Sequence, residues 1–561
     1  MSDAEQSDEI RDSEITVEDI ASAERVAGLR YTAQERAQMV DTIAPQIAAA
    51  KARRKLLLGN ASPAACRFDP RLPGFVMPPS ETVTRWSTPT AAPMPEKDED
   101  IAFASVRQLS GWIAGGVLSS RRLTEIYLSR IAEFGPRLEC FATVTDKLAL
   151  AQADAADTLL KEGTYLGPLH GIPYAVKDLF DTAGIKTGWG AEPYQGRVPE
   201  ADATVVTRLR DAGAVLIGKA ALGALAYNDI WYGGRCRNPW NLNEGSSGSS
   251  AGSASATAAG LCGFSIGTET LGSITSPSQR CGTTGLRPTF GRIPRDGAMA
   301  LCWSLDKVGP ICRTVEDTGM VLAALNGAGP HDPASIDAGF HYDSQAGSGH
   351  LKVGYLPQAF GDGATDIDHA ALQAVRDLGL SVDEVTLPDL PYDSLMNVLY
   401  AEGAAAFEEL TLDGRDDTLT WQDPAAWPNV FRRARFLSAV DHVQLDRLRW
   451  KVMQALDEMF SQVDVLIGPF MTGPMLVASN FTGHPCLHLR AGFFESATRL
   501  PGGFGGGRIK MPKGEKDGPK FRVPQGISLW GRLFDEGTIL SLGCELESKL
   551  NVHQERPVFP T

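Results

Sequence analysis

The sequence has no excess of basic residues, no long apolar run and no hydrophobic leader. Lysine and arginine together number 53 and aspartate and glutamate 68, which gives the 561 residues a formal net charge of −15. Nucleic-acid binding needs a basic stripe, and anionic membranes repel a negative chain, so we expect neither partner. No apolar run reaches the roughly 18 residues that cross a bilayer, and the N-terminus is acidic and polar, unlike a signal peptide. The composition therefore favours a cytoplasmic location.

The chain also lacks paired cysteines and a metal-ligating motif. Its nine cysteines are dispersed and form no CxxC pair, which argues against a zinc ribbon or a thioredoxin-like site. Most adjoin apolar residues, as Cys262 does, and we expect them to be reduced thiols of a core. His484 and His488 have the spacing of a helical metal pair, but Pro485 between them disrupts helix geometry and no third ligand is near. The sequence predicts neither a metal nor a cofactor.

The first part of the chain predicts a helical hairpin. Thr16 precedes Asp19, and Thr32 precedes Glu35, at the spacing of a capping box. Each pair stands ahead of an apolar stripe with helical periodicity within residues 16–58. Such a hairpin has little to bury alone, so we expect it to pack on another part of the protein.

Residues 59–98 have the composition of an extended strap. They contain eight prolines, which remove hydrogen-bond donors and block regular structure. We place the main boundary after the strap: residues 1–98 form an N-terminal helical extension with a proline-rich strap, and residues 99–561 form the main domain.

Beyond residue 98 the pattern becomes that of an α/β protein. A helix predicted over 204–212, with Asp202 as its N-cap, leads into an apolar strand. The strand–helix–strand order predicts a large mixed, mostly parallel β-sheet covered by helices on both faces. The segments with the character of buried strands are 174–176, 214–217, 264–266 and 463–467.

A long insertion near the C-terminus, roughly residues 491–525, contains the run GGFGGG at 502–507. It is either a lid over a site or a passive surface loop, and the sequence leaves both open.

Glycine and serine are concentrated in residues 245–288, which is the richest stretch for chemistry. Glycine lets the backbone approach a ligand closely, and clustered N–H groups can hold a developing anion. A flexible linker is disfavoured, because an alanine-rich helix and an apolar strand interrupt the stretch. A phosphate loop would need GK[ST] after the glycines, and the stretch contains none.

Two further interpretations of this stretch compete. A G-x-S-x-G nucleophile elbow occurs at 248–252, but polar turn-forming residues precede it where a buried strand is needed. It would also require a downstream histidine, for which His484 and His488 are available. The other interpretation combines Ser249 and Ser273 with Lys177 at the end of an apolar strand, although a lone lysine there is usually a solvated charge.

Several ordered motifs extend over most of the chain beyond residue 98. Together they resemble the amidase signature family of serine hydrolases, and residues 1–98 lie outside the resemblance. The family resemblance implies the amidase signature fold for a catalytic domain at 99–561. The matching segments are GIPYAVKD (171–178), RNPWN (237–241), GSSAGSASATAAG (248–260), GTETLGSI (267–274), CGTTGLRPTFGR (281–292), SLDKVGPICRTVED (304–317), TGHPCL (482–487) and GRLFDEGTIL (531–540).

The resemblance implies a mechanism without histidine. Ser273 aligns with the nucleophile, Ser249 with the bridging serine that typically follows a cis peptide bond, and Lys177 with the base. A free lysine has a pKa of about 10.4, and burial lowers it, so a neutral Lys177 can accept a proton from Ser273 through Ser249.

The resemblance also assigns supporting roles. Backbone N–H groups of the second Gly/Ser turn would hold the oxyanion, and Ser250 would support the bridging serine through hydrogen bonds. The oxyanion donors are those of Thr270, Leu271, Gly272 and Ser273.

Two positions depart from the family pattern. Leu271 replaces the first glycine of the pair that commonly precedes the nucleophile; backbone donors survive this change, but the side chain narrows or rigidifies the pocket. Thr275 stands where an arginine often follows the nucleophile, which puts any arginine-mediated support in doubt. Aromatic residues near the motifs are candidates for the substrate pocket, with a place in the core as the alternative for each: Tyr174, Phe180, Tyr227, Trp231 and Tyr232.

The function implied is that of an amidase that hydrolyses the C–N bond of a small amide, anilide or carbamate through a Ser-cisSer-Lys triad and a covalent acyl-enzyme. The alternatives are a fold of this kind with mainly esterase activity, a glutaminase-type subunit of an aminoacyl-tRNA amidotransferase, and a scaffold without catalysis. The N-terminal extension favours the stand-alone amidase, since a glutaminase would need partner subunits. The expected partner is thus a small-molecule amide, ester or carbamate, and a homodimer is left open.

Overall fold

The computed structural model describes residues 15–56, 58–89, 93–499 and 518–559, without the side chain of Asp41. The GGFGGG run lies outside the described residues. The two ends of the insertion around it belong to long strands, Cys486–Ser496 and Phe521–Gly531, rather than to a loop.

The predicted N-terminal hairpin is confirmed. Its helices are α1 (Val17–Ala27) and α2 (Ala33–Arg54), and both capping boxes form as expected. An ion pair between Glu24 and Arg36, 2.8 Å apart, joins the two helices. At the far end of α2, Arg53 forms a bidentate pair with Glu408 at 2.6 Å, so the hairpin contacts the main part of the chain.

The proline-rich strap lies along the rest of the protein. Its strand β1 (Val83–Arg85) pairs in parallel with His341–Asp343. The Phe68 ring packs edge-on against Phe290, with the ring centroids 5.1 Å apart. The strap is therefore attached to the part of the chain beyond residue 98, while the domain boundary itself stays a prediction.

Fifteen further helices are described beyond the strap. They are α3 (Asp98–Ala102), α4 (Val106–Ala114), α5 (Ser120–Leu138), α6 (Asp146–Lys161), α7 (Thr204–Asp211), α8 (Ala251–Ala258), α9 (Thr275–Cys281), α10 (Val315–Leu325), α11 (Asp366–Asp377), α12 (Met396–Ala406), α13 (Glu408–Leu412), α14 (Trp427–Ala434), α15 (Ala439–Gln462), α16 (Met475–Phe481) and α17 (Glu536–Leu550).

An eleven-stranded sheet runs through the main part of the protein, in the order β14-β13-β15-β17-β16-β10-β11-β9-β3-β4-β2. The described strands after β1 are β2 (Phe141–Val144), β3 (Pro173–Lys177), β4 (Val215–Ala220), β5 (Ile230–Trp231), β6 (Gly234–Arg235), β7 (Arg237–Asn238), β8 (Asn241–Gly245), β9 (Phe264–Glu269), β10 (Thr284–Arg287), β11 (Lys307–Cys312), β12 (His341–Asp343), β13 (Lys352–Tyr355), β14 (Ser381–Glu384), β15 (Val465–Pro469), β16 (Cys486–Ser496) and β17 (Phe521–Gly531).

The expected mixed sheet is confirmed, but it is less parallel than predicted. Strand β3 runs parallel to β4 and β9, and β13 runs parallel to β14 and β15. Among the described residues, the other six of the ten strand pairings in this sheet are antiparallel. The strand–helix–strand units of the sequence account for the parallel pairs. The centre of the sheet is built from distant strands, whose direction no local pattern reveals.

Helices cover both faces of the sheet, as predicted. Consecutive side chains of a strand point to opposite faces. Leu487 of β16 contacts Gly543 of α17. The next residue, His488, lies opposite Gly285 of β10, and that face is turned to Ser278 of α9. Helices α9 and α17 therefore lie on opposite sides of β16.

Local details differ from the sequence predictions in one place. Helix α7 begins as expected, but its N-cap is Ala203, without a side-chain hydrogen bond. Asp202 instead accepts the Ala183 N–H at 2.8 Å and pairs with Arg210. The predicted N-cap is therefore wrong, because a tertiary contact captures the carboxylate.

Most cysteines lie in the core, as predicted. All nine are free thiols; seven are buried, Cys544 is partly exposed and Cys66 is exposed. Among the described residues, no helix is both long and apolar enough to cross a membrane.

Candidate active site

Lys177 is the last residue of β3, a strand whose five residues are all buried. Its Nζ atom donates to Ser249 Oγ at 2.8 Å, to Thr268 Oγ1 at 2.9 Å and to Ser250 Oγ at 3.2 Å. Burial lowers the pKa of Lys177 to about 7, although the negative charges of Asp306 and Glu269 oppose this shift. A lysine of this kind is partly neutral near pH 7 and can accept a proton.

Ser249 and Ser250 form the turn between β8 and α8. The Gly248–Ser249 peptide bond is cis. Ser250 Oγ accepts the Thr268 N–H and donates to the Thr268 carbonyl, both at 3.1 Å, which fixes this turn to β9. The close approach requires glycine at position 267, since a Cβ atom there would lie 2.6 Å from Ser250 Oγ. Ser250 thus fixes to β9 the turn that carries Ser249.

Ser273 lies in the second turn, between β9 and α9. The Ser250 N–H donates to the Ser273 carbonyl at 3.2 Å, which joins the two turns. Both serines that the sequence singled out are nearly buried, with 7% of Ser273 and 1% of Ser249 exposed. The structure therefore brings Lys177, Ser249 and the Ser273 turn together at the ends of β3 and β9.

The Glu269 side chain holds the turn that carries Ser273. Its carboxylate accepts the Ile274 N–H at 2.9 Å and the Thr275 N–H at 3.0 Å. Arg287 Nη1 lies 2.7 Å from the same carboxylate. Burial raises the pKa of Glu269, but Arg287 and the backbone donors outweigh burial and lower it to about 2. The carboxylate is therefore ionised at any physiological pH.

The Glu269 network also includes Thr275, the position at which the family often has an arginine. Its hydroxyl donates to Glu269 at 3.1 Å, so the residue is part of the network that holds the turn. An arginine does take part in this network, but it is Arg287 of β10 and not a residue at position 275.

Backbone N–H groups of the turn were predicted to hold an oxyanion. Those of Leu271, Gly272 and Ser273 donate to no acceptor in the part of the chain that the structure describes. Gly272 has a φ of +80°, a left-handed conformation that favours glycine. Free N–H groups next to a nucleophile are what an oxyanion hole needs. The backbone N–H of Thr270, the fourth predicted donor, likewise has no acceptor among the described residues, while its hydroxyl donates to Asp306 at 2.6 Å.

A small pocket of about 30 Å³ adjoins Ser273. Among the described residues that line it, none is charged. Leu271 is one of them, so a narrower pocket stays one of the two expected consequences of the leucine. The lining residues are Ala226, Tyr227, Thr270, Leu271, Ser273, Leu301, Met396, Leu399, Tyr400, Ala425, Trp427 and Val430.

A larger cavity of about 700 Å³ lies beside the small pocket. The two share Ala226, Thr270 and Leu301 as lining residues. The larger cavity therefore adjoins the small pocket at Ser273, and its volume is that of a site for a drug-sized molecule.

One of the aromatic residues proposed for the substrate pocket lies there. Tyr227 lines the small pocket, with its ring 4.9 Å from that of Trp427. The structure places the others elsewhere: Tyr174 stacks on Phe264, Phe180 is fully buried, and Trp231 packs on Tyr232. None of these lines either cavity beside Ser273. A buried aromatic side chain can pack in the core as well as line a pocket. Its nearness to a motif in the sequence therefore did not show which of these two roles it has.

Sequence reasoning missed most of the pocket. Met396, Leu399 and Tyr400 come from α12, and Trp427 and Val430 from α14. These helices carry no motif, and their apolar residues look like ordinary core residues in the sequence.

The rival nucleophile elbow is disfavoured by the contacts of its serine. That serine is Ser250, which bonds to Lys177 and Thr268. The histidines that would serve it are bonded elsewhere, His484 to Thr482 and His488 to Ser528. Burial lowers the pKa of both histidines to about 3.

The comparison with known families favours the amidase interpretation over the nucleophile elbow. The model of the Amidase family matches residues 122–540 of the chain. The chain belongs to the amidase family. This confirms the resemblance seen in the sequence motifs, and the amidase family match leaves the N-terminal extension outside it.

Two curated relatives of this amidase-family chain carry the same name. The A subunit of the glutamyl-tRNA(Gln) amidotransferase of Halorhodospira halophila is 33% identical over 488 residues, covering 81% of this chain and 98% of the relative. The protein of the same name from a Roseiflexus species is 34% identical, covering 79% and 96% of the two chains.

Solved structures of amidases are similar in fold. The peptide amidase of Stenotrophomonas maltophilia matches with a TM-score of 0.68 and 28% identity, over 82% of this chain and 99% of that one. A protein from a vestigial complex that bears on the origins of an s-triazine catabolic enzyme matches with a TM-score of 0.69 and 27% identity, over 79% and 98% of the chains.

Proposed function

We propose that this protein hydrolyses a C–N amide bond with Ser273 as nucleophile, Ser249 as proton relay and Lys177 as base. The observation that carries the proposal is the 2.8 Å contact between buried Lys177 and Ser249, in a turn that is bonded to the Ser273 turn. Amidase-family membership supports the same chemistry.

The proposed reaction begins with attack of Ser273 Oγ on the amide carbonyl carbon. The Ser273 proton passes to Ser249, whose own proton passes to Lys177. The free N–H groups of Leu271, Gly272 and Ser273 bind the oxygen as it becomes negative. When the C–N bond breaks, the proton returns through Ser249 to the leaving amine, and an acyl ester on Ser273 remains.

Water then completes the cycle. It attacks the acyl ester, gives a proton to Lys177 through Ser249, and releases the acid. Ser273 recovers its proton from the same relay. No metal or cofactor takes part in the proposed steps.

Two substrate classes compete, and each has its own support. The small pocket at Ser273 has no charged lining residue among those described, which favours an uncharged acyl group, as in a stand-alone amidase. The names of the curated relatives favour the alternative, a glutaminase-type amidotransferase subunit. In that case partner subunits would be needed, and the net charge of −15 assigns tRNA binding to a partner.

A substrate panel on the purified full chain separates these candidates. Ammonia release from glutamine is compared with release from phenylacetamide, and hydrolysis of butyranilide with that of phenyl butyrate. Faster turnover of the apolar amides supports the stand-alone amidase. Turnover of glutamine alone supports the amidotransferase role, and turnover of the ester alone supports an esterase.

The nucleophile is tested independently of substrate. A fluorophosphonate should form a covalent adduct, located at Ser273 by mass spectrometry of the digested protein. Ser273→Ala should form no adduct and turn over no substrate while it unfolds at the same temperature as the wild type. An adduct at another serine, or activity retained by Ser273→Ala, would refute the proposal.

A further inference from the structure

We infer that residues 59–68 of the N-terminal extension are a specificity element: they form one wall of the substrate cavity and select amides with an apolar substituent. This inference rests on the proposed function, because it needs Ser273 to be the reacting centre. It concerns a segment outside the family match, which begins at residue 122.

The first observation is the lining of the 700 Å³ cavity. One side is formed by residues close to the catalytic turns, among them Thr268 and Thr270. The strap contributes a second group of lining residues, among them Asn60, Pro63, Cys66 and Phe68.

The second observation is the way in which the strap is fixed. The side-chain amide of Asn60 forms hydrogen bonds with both the carbonyl and the N–H group of Ala300. Its amide nitrogen donates to the Ala300 carbonyl at 2.7 Å, and its amide oxygen accepts the Ala300 N–H at 2.8 Å. Phe68 is held between the Phe290 ring and the Arg449 guanidinium, which lies 4.7 Å from the Phe68 centroid.

The third observation links Ala300 to the oxyanion turn. The neighbouring Leu301 and Cys302 N–H groups donate to Asp306, at 2.8 and 3.0 Å. The same carboxylate accepts the Thr270 hydroxyl at 2.6 Å. One loop, residues 300–306, is therefore held on one side by Asn60 and on the other by the turn that precedes Ser273.

The chemistry of this wall indicates the substituent that it accepts. Pro63 and Phe68 of the strap, with Met299, Leu301 and Trp303, present apolar surface to the cavity, whose lining also includes charged residues such as Arg67 of the strap. An aromatic or branched alkyl group, remote from the scissile bond, gains burial there. A small amide such as acetamide fills only the space at Ser273 and gains nothing from the strap.

Cys66 offers a direct test of occupancy. It is exposed, and it lines the same cavity. In the Ser273→Ala protein, which cannot consume its ligand, butyranilide at about ten times its Kd should slow the alkylation of Cys66 by N-ethylmaleimide by about tenfold. Acetamide at the same concentration should leave the rate unchanged. Mass spectrometry reports the modified cysteine.

Asn60→Ala gives the second test, in otherwise native protein. Loss of both bonds to Ala300 should raise the KM of butyranilide by about tenfold, because the strap is no longer fixed against the cavity, and leave kcat for acetamide within about twofold. Ser62→Ala is the matched control, because Ser62 is an exposed strap residue that does not line the cavity.

The outcomes separate this inference from the proposed function. A fluorophosphonate adduct at Ser273, with no protection of Cys66 by butyranilide, overturns the inference and leaves the proposed function standing. An equal loss of activity toward butyranilide and acetamide in Asn60→Ala also overturns it, since that result indicates a structural role. Absence of the Ser273 adduct refutes the proposed function itself.

Discussion

Lys177 Nζ lies 2.8 Å from Ser249 Oγ, and its other hydrogen-bond partners in the described chain are the uncharged oxygens of Ser250 and Thr268. A buried ammonium with no carboxylate in contact is poorly compensated for the loss of water. This is the physical cause of its lowered pKa and the basis of the first prediction.

The rate should rise with pH through the pKa of Lys177, which is about 7. Below that value Lys177 is protonated and cannot accept the Ser273 proton, so kcat/KM should fall by about tenfold per pH unit. Above it the rate should level off. Initial rates between pH 5 and 9 in a constant-ionic-strength buffer test this, and a flat profile down to pH 5 would exclude a neutral lysine base.

Ser249→Ala should break the proton relay while leaving the nucleophile in place. We expect kcat to fall by roughly 10²–10⁴-fold, the range of a lost general acid–base step. The control is Ser255→Ala, a buried serine of α8 whose hydroxyl donates to the Arg237 carbonyl, away from Lys177. Steady-state kinetics of both variants should differ by at least tenfold; equal rates would remove Ser249 from the mechanism.

Glu269→Gln should destabilise the protein and the Ser273 turn together. It leaves the buried Arg287 without a counter-charge, and breaking such a pair costs about 3–5 kcal/mol of unfolding free energy. Glu555→Gln is the matched control. Its partner is Arg522, in an exposed pair for which we expect less than about 1 kcal/mol.

Urea unfolding followed by tryptophan fluorescence measures both losses. Similar losses in the two variants would show that the Glu269 carboxylate is dispensable. Activity adds a second readout, since only the Glu269 variant should lower kcat at a temperature where both proteins are folded.

Leu271→Ala should enlarge the small pocket at Ser273. The leucine lines a space of about 30 Å³, so removing part of its side chain admits a larger acyl group. The ratio of kcat/KM for phenylacetamide over acetamide should rise by about tenfold or more, the value of one or two methylenes in an apolar pocket. A fall in this ratio would mean that Leu271 contacts the substrate rather than obstructing it.

The sequence was informative where structure follows from neighbouring residues. Capping boxes at Thr16 and Thr32 formed as predicted, because each involves residues three positions apart. The buried strand that ends at Lys177 was found for a similar reason, since a short apolar run bounded by turn residues is consistent with a buried strand. The family motifs likewise identified Lys177, Ser249 and Ser273 as the residues to examine.

Contacts between residues far apart in the chain could not be predicted from the sequence. The antiparallel centre of the sheet pairs β10 with β16, and nothing near either strand specifies a partner so far along the chain. Arg287 could not be recognised as the cation at Glu269, because the motif expected an arginine next to Ser273. The walls of the small pocket come from α12 and α14, where apolar periodicity is shared by core and pocket residues.

The sequence by itself determined the family, the three residues proposed for catalysis and the helical start of the chain. Only the tertiary structure decided what surrounds those residues: the pocket at Ser273 without charged lining residues, the Glu269 network that holds the Ser273 turn, and the larger cavity that the strap helps to line. The physical reason is that chemical identity resides in single side chains, whereas pKa, pocket shape and substrate access depend on groups that folding brings together from distant parts of the chain.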